Sequence, residues 1–396
     1  MPFDSSFDSA RLTRIDRHLA KYVDDGRLPG WHVQVALHGD VQHSSVYGLA
    51  DLEAGRPVAQ DTLWRIYSMT KPLTSVLAMM LWEEGEFQLT DEVSRFIPSF
   101  AEARVFEKGS ATAPFLVPAM EPVRMWHLLA HASGLTYGFM QHSPVDALYR
   151  AQGYDFGWPP GVDLAGACDA WARLPLKFQP GSAFGYGVST DVLGRVIEVI
   201  TGKRLDVAMA ERILTPLGMF DTRWWVEGAD VDRLAALYAN VEGKAVRYDL
   251  LGAAALSEPA GHSGGGGLIS TVADYQRFMD ALLDGTLLAP RTLELMTRNH
   301  LPGDLQQCNS GGFAETVLDG IGFGLGFAVV LDPMPARSAS SVGEYYWGGL
   351  ASTAFWIDPA TGVTASFYTQ LAPSSTYPIR AELRQLVYSA LRAARR

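Results

Sequence analysis

A serine and a lysine three residues apart, Ser68 and Lys71, are the residues of this 396-residue sequence best placed to do chemistry. Pro72 follows directly, and the apolar run at 73–82 has helical character and is predicted to be a buried helix. Because proline is tolerated in the first turn of a helix and breaks its interior, the helix must begin close to Ser68. We therefore expect Ser68 at or just before the N-terminus, with Lys71 one turn further on the same face.

A serine hydroxyl at a helix N-terminus lies among backbone N–H groups without partners, where the helix dipole favours negative charge. An attacking alkoxide and a developing oxyanion both gain from that position. A lysine amine one turn along can take the serine proton if burial and its neighbours disfavour the ammonium form. Ser-x-x-Lys is short enough to occur by chance, and the alternative is a helix-capping serine beside a solvated lysine.

Two glycine-containing stretches supply further candidates. Tyr186 lies on a glycine-broken loop that runs into a helix, so its phenol can face a cleft and shuttle protons. The alternative is a packed aromatic ring with a satisfied hydroxyl. Trp347, Gly348 and Gly349 end a strand, where glycine permits close approach of a ligand to the backbone. An exposed N–H there could serve as a second oxyanion donor; the alternative is a bulge or a simple strand end.

Two other motifs point less clearly to chemistry. Ser263 lies in Gly261-His-Ser-Gly-Gly265, which matches the nucleophile elbow Gly-x-Ser-x-Gly, but no strand precedes it and only His300 follows as a histidine partner. The extra glycines favour a mobile loop. His127 and His131 are four residues apart, yet no glutamate follows His127 and no third ligand is evident, so we expect a structural pair and no metal site.

Strand-like and helical runs are distributed unevenly along the chain. Runs at 31–37 and 41–47 form a predicted hairpin, and four more strand-like runs lie between 325 and 369. Amphipathic helices are predicted at 10–23 and 379–395. This order predicts an α/β (α+β) fold with a mostly antiparallel sheet built from both termini and flanked by helices.

The middle of the chain has a different composition, rich in proline, glycine and aromatic residues between helical runs. The predicted helices there are at 123–130, 190–201, 207–214, 273–283 and 291–298. We place the sheet domain at 1–85 and 318–396, and a largely helical inserted region at 86–317. Long loops in that region suggest the other wall of a cleft.

Charge and composition exclude several classes of protein. The net charge of −11 argues against nucleic-acid binding. Cys168 and Cys308 are too few for a disulfide framework or a metal cluster. The N-terminal residues lack the features of a signal peptide, and no apolar run reaches the length of a membrane span. We therefore expect a cytoplasmic protein without a membrane partner; the sequence predicts no particular oligomeric state.

Six segments, in this order, resemble the serine β-lactamase and penicillin-binding-protein superfamily, and most closely its family VIII carboxylesterases. They are residues 67–72, 128–135, 180–186, 265–271, 322–327 and 347–349. The resemblance implies a β-lactamase-like fold, with Ser68 as the acylated nucleophile, Lys71 as its base and Tyr186 as proton shuttle to the leaving group. It implies an oxyanion hole made of the backbone N–H groups of Ser68 and Leu350, and implies that Ser263 is not the nucleophile.

The chain departs from class C β-lactamases in two motifs. Val188 stands where those enzymes have the asparagine of Tyr-x-Asn, and Trp347, Gly348 and Gly349 replace Lys-Thr-Gly. The missing amide and ammonium are groups that would help to hold the amide and carboxylate of a β-lactam. We expect these four residues to bind substrate at an apolar end of the cleft that suits uncharged esters. Trp-Gly-Gly is itself the family VIII pattern, so β-lactam turnover is expected to be weak or absent.

The sequence thus predicts a serine carboxylesterase that hydrolyses small, short-chain esters through an acyl-enzyme, with no cofactor and no metal. Phe139, Tyr154 and Trp158 are candidates to line the acyl or alcohol pocket. The alternatives are a β-lactamase or D-amino-acid peptidase, an acyltransferase that uses the same acyl-enzyme, and a catalytically inactive binding module.

Overall fold

The structure is a computed structural model that describes residues 6–311 and 317–392. Its α-helices are α1 (Ser9–Asp24), α2 (Thr70–Glu83), α3 (Met125–Leu129), α4 (Pro144–Ala151), α5 (Leu164–Ala172), α6 (Ser189–Thr201), α7 (Leu205–Met209), α8 (Asp249–Gly252), α9 (Val272–Leu283), α10 (Pro290–Met296), α11 (Leu305–Cys308) and α12 (Ile379–Ala390). Its strands are β1 (Ser6–Phe7), β2 (Gly30–Leu37), β3 (Asp40–Asp51), β4 (Arg56–Pro57), β5 (Trp64–Arg65), β6 (Arg104–Ser110), β7 (Ala113–Pro118), β8 (Tyr238–Val241), β9 (Lys244–Arg247), β10 (Ile269–Ser270), β11 (Ile321–Phe323), β12 (Ala328–Val330), β13 (Tyr345–Gly348), β14 (Ala354–Asp358), β15 (Val363–Tyr368), β16 (Leu371–Ala372) and β17 (Leu391–Arg392).

The central element is an antiparallel sheet in the order β11-β12-β13-β14-β15-β2-β3-β4. It joins strands from both ends of the chain, since β15 pairs with β2 and Val363 lies opposite Leu37. Every residue of β2 is buried, as expected for a strand covered on both faces. The predicted antiparallel sheet, assembled from both termini, is confirmed.

Helices cover the two faces of this sheet. On one face α1 packs against β3 and α12, and Glu382 of α12 accepts hydrogen bonds from α1 residues His18 and Tyr22, both at 2.8 Å. On the opposite face α9 contacts β2 and β15, where Gln276 bonds Gln34. The terminal helices flank the sheet as predicted. Helix α12 ends at Ala390, earlier than predicted, because Leu391 and the next residue pair with β1; positions 393–395 of the predicted helix lie outside the described residues.

Helix α2 runs through the interior: all its residues from 70 to 79 and Leu81 are buried, whereas Met80 and Trp82 are partly buried. A 3₁₀ turn at Tyr67–Met69 leads directly into it. This confirms a buried helix that begins just after Ser68. Surrounded by apolar side chains, α2 gives the residues of its first turn a fixed position.

The middle of the chain contains more strand than predicted. Strands β6 and β7 form one hairpin, β8 and β9 form another, and β16 adds to β8 in parallel. These hairpins expose most of their residues, so no buried apolar alternation marks them in the sequence. Helices α6, α9 and α10 lie where helices are predicted, whereas the predicted 207–214 helix is divided between α7 and a π-helical turn at Ala210–Leu214. Within the described ranges, no helix is both long and apolar enough to cross a membrane.

Candidate active site

The predicted serine–lysine pair forms a hydrogen bond. Lys71, in the first turn of α2, points its Nζ to within 3.2 Å of the Oγ of Ser68. The lysine side chain is buried, with 1% of its surface exposed, whereas Ser68 is only partly buried and lines a cavity of about 1020 Å³. A serine hydroxyl open to a cavity, with an amine within hydrogen-bond distance that could act as its base, is an arrangement suited to nucleophilic catalysis.

Two further acceptors hold the lysine amine in place. Nζ of Lys71 donates to the Oη of Tyr137 at 2.9 Å and to the carbonyl oxygen of Gly265 at 2.6 Å. An ammonium can donate to these two groups and to Ser68 together. A neutral amine in the same position keeps a lone pair and can accept the proton of Ser68.

Two tyrosines flank this amine, one predicted and one missed. The ring centroid of Tyr186 lies 4.6 Å from Nζ of Lys71, and its Oη accepts a hydrogen bond of 3.3 Å from Nε1 of Trp347. The ring of Tyr137 meets the ring of Tyr186 edge-on, with centroids 5.6 Å apart. Burial, with the nearby Asp191 carboxylate, raises the pKa of Tyr137 well above its ordinary value, so this phenol stays neutral. Tyr137 lies two residues beyond the 128–135 segment, and that position was the one signal available for it.

A buried carboxylate, Asp191, supports the loop that holds the lysine. It lies in the first turn of α6 and accepts hydrogen bonds from the Oγ of Ser263 at 2.5 Å and the N–H of Gly265 at 3.0 Å. Burial raises the pKa of Asp191, and the positive charge of Lys71 opposes this rise. Sequence reasoning missed this residue, although an acidic residue five positions after Tyr186 in a mostly apolar helix was a usable signal. Ser263, the serine of the segment that matches the nucleophile-elbow motif, lines the cavity and donates a hydrogen bond to this carboxylate.

The proposed oxyanion donors, Ser68 and Leu350, both line the cavity. Within the described ranges, neither of their N–H groups donates to a backbone carbonyl. The strand end that carries Leu350 comes very close to the nucleophile turn, since a methyl group at Gly349 would lie 2.3 Å from the carbonyl oxygen of Ile66. Glycine is therefore needed at 349 for the approach of the chain itself, and its predicted contact with substrate stays a prediction.

The residues predicted to bind substrate divide between two cavities. Val188 lines the cavity of Ser68, whereas Trp347 and Gly348 line a second cavity of about 410 Å³ formed by β13, β14 and the start of α12. Trp347 still reaches the site through its hydrogen bond to Tyr186.

Aromatic side chains form one wall of the larger cavity. The three predicted residues, Phe139, Tyr154 and Trp158, all line it. The rings of Tyr137 and Phe139 stack with centroids 4.9 Å apart, and Phe139 stacks on Phe156 at 5.1 Å with an interplanar angle of 3°. This three-ring stack begins at the lysine and ends at a half-exposed phenylalanine.

The two histidines have structural surroundings. His127 accepts a hydrogen bond of 2.9 Å from the N–H of Arg124 at the start of α3, and burial lowers its pKa to about 4. His131 follows the helix at a positive φ of 52° and packs against the ring of Tyr186. Burial lowers the pKa of His131 well below its ordinary value. Among the residues described, no group of three or more potential ligands could hold a metal ion.

Comparison with known proteins identifies the family. The family model described as Beta-lactamase matches residues 15–389 of this chain. The chain belongs to the β-lactamase family. The predicted superfamily, the β-lactamase-like fold and the class of serine hydrolase are thereby confirmed.

Two proteins similar in sequence and one solved structure have described activities. Esterase EstB from Burkholderia gladioli is 32% identical to this chain over an alignment of 409 positions, gaps included, and the alignment covers 98% of each chain. Monacolin J acid methylbutanoyltransferase from Aspergillus terreus is 29% identical and covers 89% of each chain. The solved structure of EstCE1, described as a hydrolase with promiscuous acyltransferase activity, superposes with a TM-score of 0.82 at 28% identity, over 96% of this chain and 99% of that one.

Proposed function

We propose that this β-lactamase-family enzyme is a serine carboxylesterase that hydrolyses uncharged carboxylic esters through an acyl-enzyme on Ser68. The observation that carries the proposal is the buried Lys71 amine, 3.2 Å from a serine hydroxyl that opens into a large cavity with an aromatic wall. The similarity to an esterase over 98% of both chains supports it. We also infer membership in family VIII from the Trp-Gly-Gly segment, and keep a cytoplasmic location as a prediction.

Acylation begins with attack by Oγ of Ser68 on the ester carbonyl carbon while the neutral amine of Lys71 takes its proton. The carbonyl oxygen becomes an oxyanion that accepts hydrogen bonds from the N–H groups of Ser68 and Leu350. When the C–O bond to the alcohol breaks, the proton passes from Lys71 to the leaving oxygen through a tyrosine hydroxyl. Tyr186 is the proposed shuttle, and Tyr137 holds the amine.

Deacylation repeats these steps with water as the nucleophile. Water gives a proton to Lys71 as it attacks the acyl carbon, and the same two N–H groups stabilise the second oxyanion. The proton then returns to Oγ of Ser68 as the acid leaves. No atom outside the protein, the ester and water takes part in this sequence.

The charges around the cavity disfavour anionic substrates. Asp155, Asp191 and Glu258 line it. Arg65 also lines it, but its guanidinium donates to the carbonyl oxygens of Gly252 and Ala235. An arginine already bonded to two backbone groups is poorly placed to hold a substrate carboxylate. A β-lactam, which carries such a carboxylate, should therefore be a poor substrate.

Acyl transfer to an alcohol is the second candidate function. Two observations favour it: the methylbutanoyltransferase relative, and a cavity of about 1020 Å³, which has room for an acceptor beside the acyl group. An alcohol would replace water in the second half of the reaction. An increase in total turnover of the acyl-enzyme on addition of an alcohol, with formation of the new ester, would establish this activity.

The decisive experiment compares Ser68→Ala with Ser263→Ala, because both serines line the same cavity. We expect Ser68→Ala to lower hydrolysis of p-nitrophenyl butyrate by about 10⁴-fold or more, as removal of a nucleophile does. A p-nitrophenyl phosphonate should add one mass adduct to the wild type and to Ser263→Ala, and none to Ser68→Ala. Retention of most of the activity in Ser68→Ala, or labelling at Ser263, would refute the proposed nucleophile.

A further inference from the structure

We propose that Arg380 positions and polarises the peptide group that supplies the second oxyanion donor. The inference rests on the proposed function, because it takes the N–H of Leu350 as that donor. Arg380 is the second residue of α12 and lines the smaller cavity, whereas Leu350 lines the larger one with Ser68. Arg380 would therefore act through the backbone and not by touching the substrate.

The contact is made through one peptide group. Nη2 of Arg380 donates to the carbonyl oxygen of Gly349 at 3.1 Å. That carbonyl and the N–H of Leu350 are the two ends of the same planar trans peptide unit, so they point in opposite directions. A bond that fixes the direction of the carbonyl of Gly349 also fixes the direction in which the N–H of Leu350 points.

Arg380 also ties this peptide to the rest of the turn. The same Nη2 donates to the carbonyl oxygen of Thr353 at 2.9 Å, which accepts the N–H of Gly349 at 2.9 Å as well. The carbonyl of Gly349 also accepts the N–H of Ser352 at 3.0 Å. The guanidinium thus connects the first and last carbonyl groups of the turn between β13 and β14, those of Gly349 and Thr353, which restricts rotation of the oxyanion peptide.

The neighbouring glycine makes room for this guanidinium. A methyl group at Gly348 would lie 2.4 Å from Nη2 of Arg380, closer than atoms can approach. Glycine at 348 is therefore explained by an arginine packed against its Cα. The two glycines after Trp347 serve one purpose, since the second allows the same turn to approach Ile66.

The positive charge adds an electronic effect to the positioning. A charge-assisted hydrogen bond is stronger than a neutral one, and hydrogen bonds in a chain polarise one another. Donation to the carbonyl of Gly349 draws electron density from the peptide, which makes the N–H of Leu350 a better donor. The effect matters most when an oxyanion forms, so it should stabilise the transition state more than the bound substrate.

The test measures turnover per active site in Arg380→Met, Arg380→Lys and Gly348→Ala. The p-nitrophenol burst counts the acylable Ser68 sites, so partly unfolded protein does not lower the result. We expect Arg380→Met to lower kcat about 10-fold with KM within about twofold, less than the 10²–10³ lost with a direct oxyanion donor. Arg380→Lys, which keeps the charge and can reach a carbonyl, should recover part of this loss, and Gly348→Ala should resemble Arg380→Met.

A boronic acid provides a second readout, because its tetrahedral adduct with Ser68 places an oxygen in the oxyanion hole. Its affinity should fall in parallel with kcat/KM across the three variants. Arg384→Lys is the matched control: Arg384 lies on the same helix and lines the same small cavity, but its Nε bonds Glu344 at 2.8 Å. The Arg384→Lys variant should have a lower melting temperature than the wild type and the same turnover per site.

Three outcomes would overturn the inference. They are unchanged turnover per site in Arg380→Met, a loss confined to KM, and an equal loss of turnover in Arg384→Lys. If Arg380→Met does not fold, Arg380→Lys and Gly348→Ala decide the question by the same criteria. Failure of the proposed function is detected separately, since Ser68→Ala would then keep its activity.

Discussion

At the scale of single residues, the environment of the Lys71 amine determines how protons move. Tyr137 offers its hydroxyl oxygen to the amine at 2.9 Å, and the hydroxyl oxygen of Tyr186 accepts a hydrogen bond of 3.3 Å from the indole N–H of Trp347. The two phenols therefore have different surroundings within one site. Tyr186 can deliver a proton towards the leaving group while Tyr137 keeps the amine directed at Ser68.

This difference predicts distinct effects for Tyr186→Phe and Tyr137→Phe. We expect Tyr186→Phe to lower kcat by about 10²–10⁴ on an alkyl ester, whose alkoxide needs a proton to leave. On the p-nitrophenyl ester of the same acid, whose phenolate leaves unprotonated, the acylation rate should fall much less. Tyr137→Phe removes one acceptor of Lys71 and should lower both rates by a similar, smaller factor. Pre-steady-state acylation rates for the two esters measure this difference. If only Tyr137→Phe slowed the alkyl ester more than the p-nitrophenyl ester, Tyr137 would be the proton shuttle and Tyr186 would not.

At the scale of elements, short segments at the ends of helices and strands hold the site. The 3₁₀ turn before α2 carries Ser68, the turn after β13 carries Leu350, and the first turn of α6 carries Asp191. Helix α3 packs against α6, the helix that carries Asp191. His127 stabilises the start of α3, because its ring accepts the backbone N–H of Arg124.

His127 gives a prediction about stability and pH. Burial lowers its pKa to about 4 from an ordinary 6.5, so below pH 6.5 the unfolded chain binds the proton before the folded one does. Stability from this group is complete above pH 6.5 and decreases as the pH falls towards 4. His127→Gln keeps an acceptor for Arg124 without titrating. From pH 6.5 to 4 the unfolding free energy of the wild type should fall relative to this variant by about 1.4 kcal/mol per pH unit.

Urea unfolding of both proteins at pH 7.5 and 5 measures this change. Only the difference between the two proteins is compared, so the titration of all other groups cancels. A difference that is the same at both pH values would show that His127 has an ordinary pKa in the folded protein.

At the scale of the whole molecule, the cavity is formed by parts of the chain that are far apart in sequence. The turn before α2, the aromatic segment at 137–162, the loop at 251–268 and the turn after β13 all line it. The stacked rings of Tyr137, Phe139 and Phe156 give this space one flat apolar wall. A flat wall next to the nucleophile favours esters that carry a planar aromatic group.

Substitution of the wall should therefore change selectivity. In Phe139→Ala and Phe156→Ala we expect KM for a naphthyl ester to rise about 3–10-fold, since an aromatic pair contributes roughly 0.5–1.5 kcal/mol. KM for the corresponding methyl ester should change little. Phe220→Ala is the matched control, because Phe220 is 76% exposed and is absent from the described cavity lining. Equal changes for both esters would contradict a stacking role.

The sequence by itself determined the features that depend on local patterns. The apolar run after Pro72 located helix α2, and the spacing of Ser68 and Lys71 then placed both on one face of its start. Apolar strands at both ends of the chain located most of the antiparallel sheet, because burial on a sheet requires continuous or alternating apolar residues. The family resemblance added the β-lactamase-like fold, which the family match confirms. The boundaries of the two domains and the individual roles of the site residues stay predictions.

Only the tertiary structure decided which groups meet at the amine and behind the oxyanion turn. Tyr137 is 66 positions from Lys71 and Gly265 is 194 positions away, and no local periodicity encodes such contacts. Arg380 looks in the sequence like any exposed helix residue, yet its guanidinium bonds two carbonyls of a turn 27 to 31 positions earlier. The physical reason is that a hydrogen bond depends on distance and direction in space. Packing of the sheet against its helices sets these distances, whereas sequence patterns report only which face of an element is apolar.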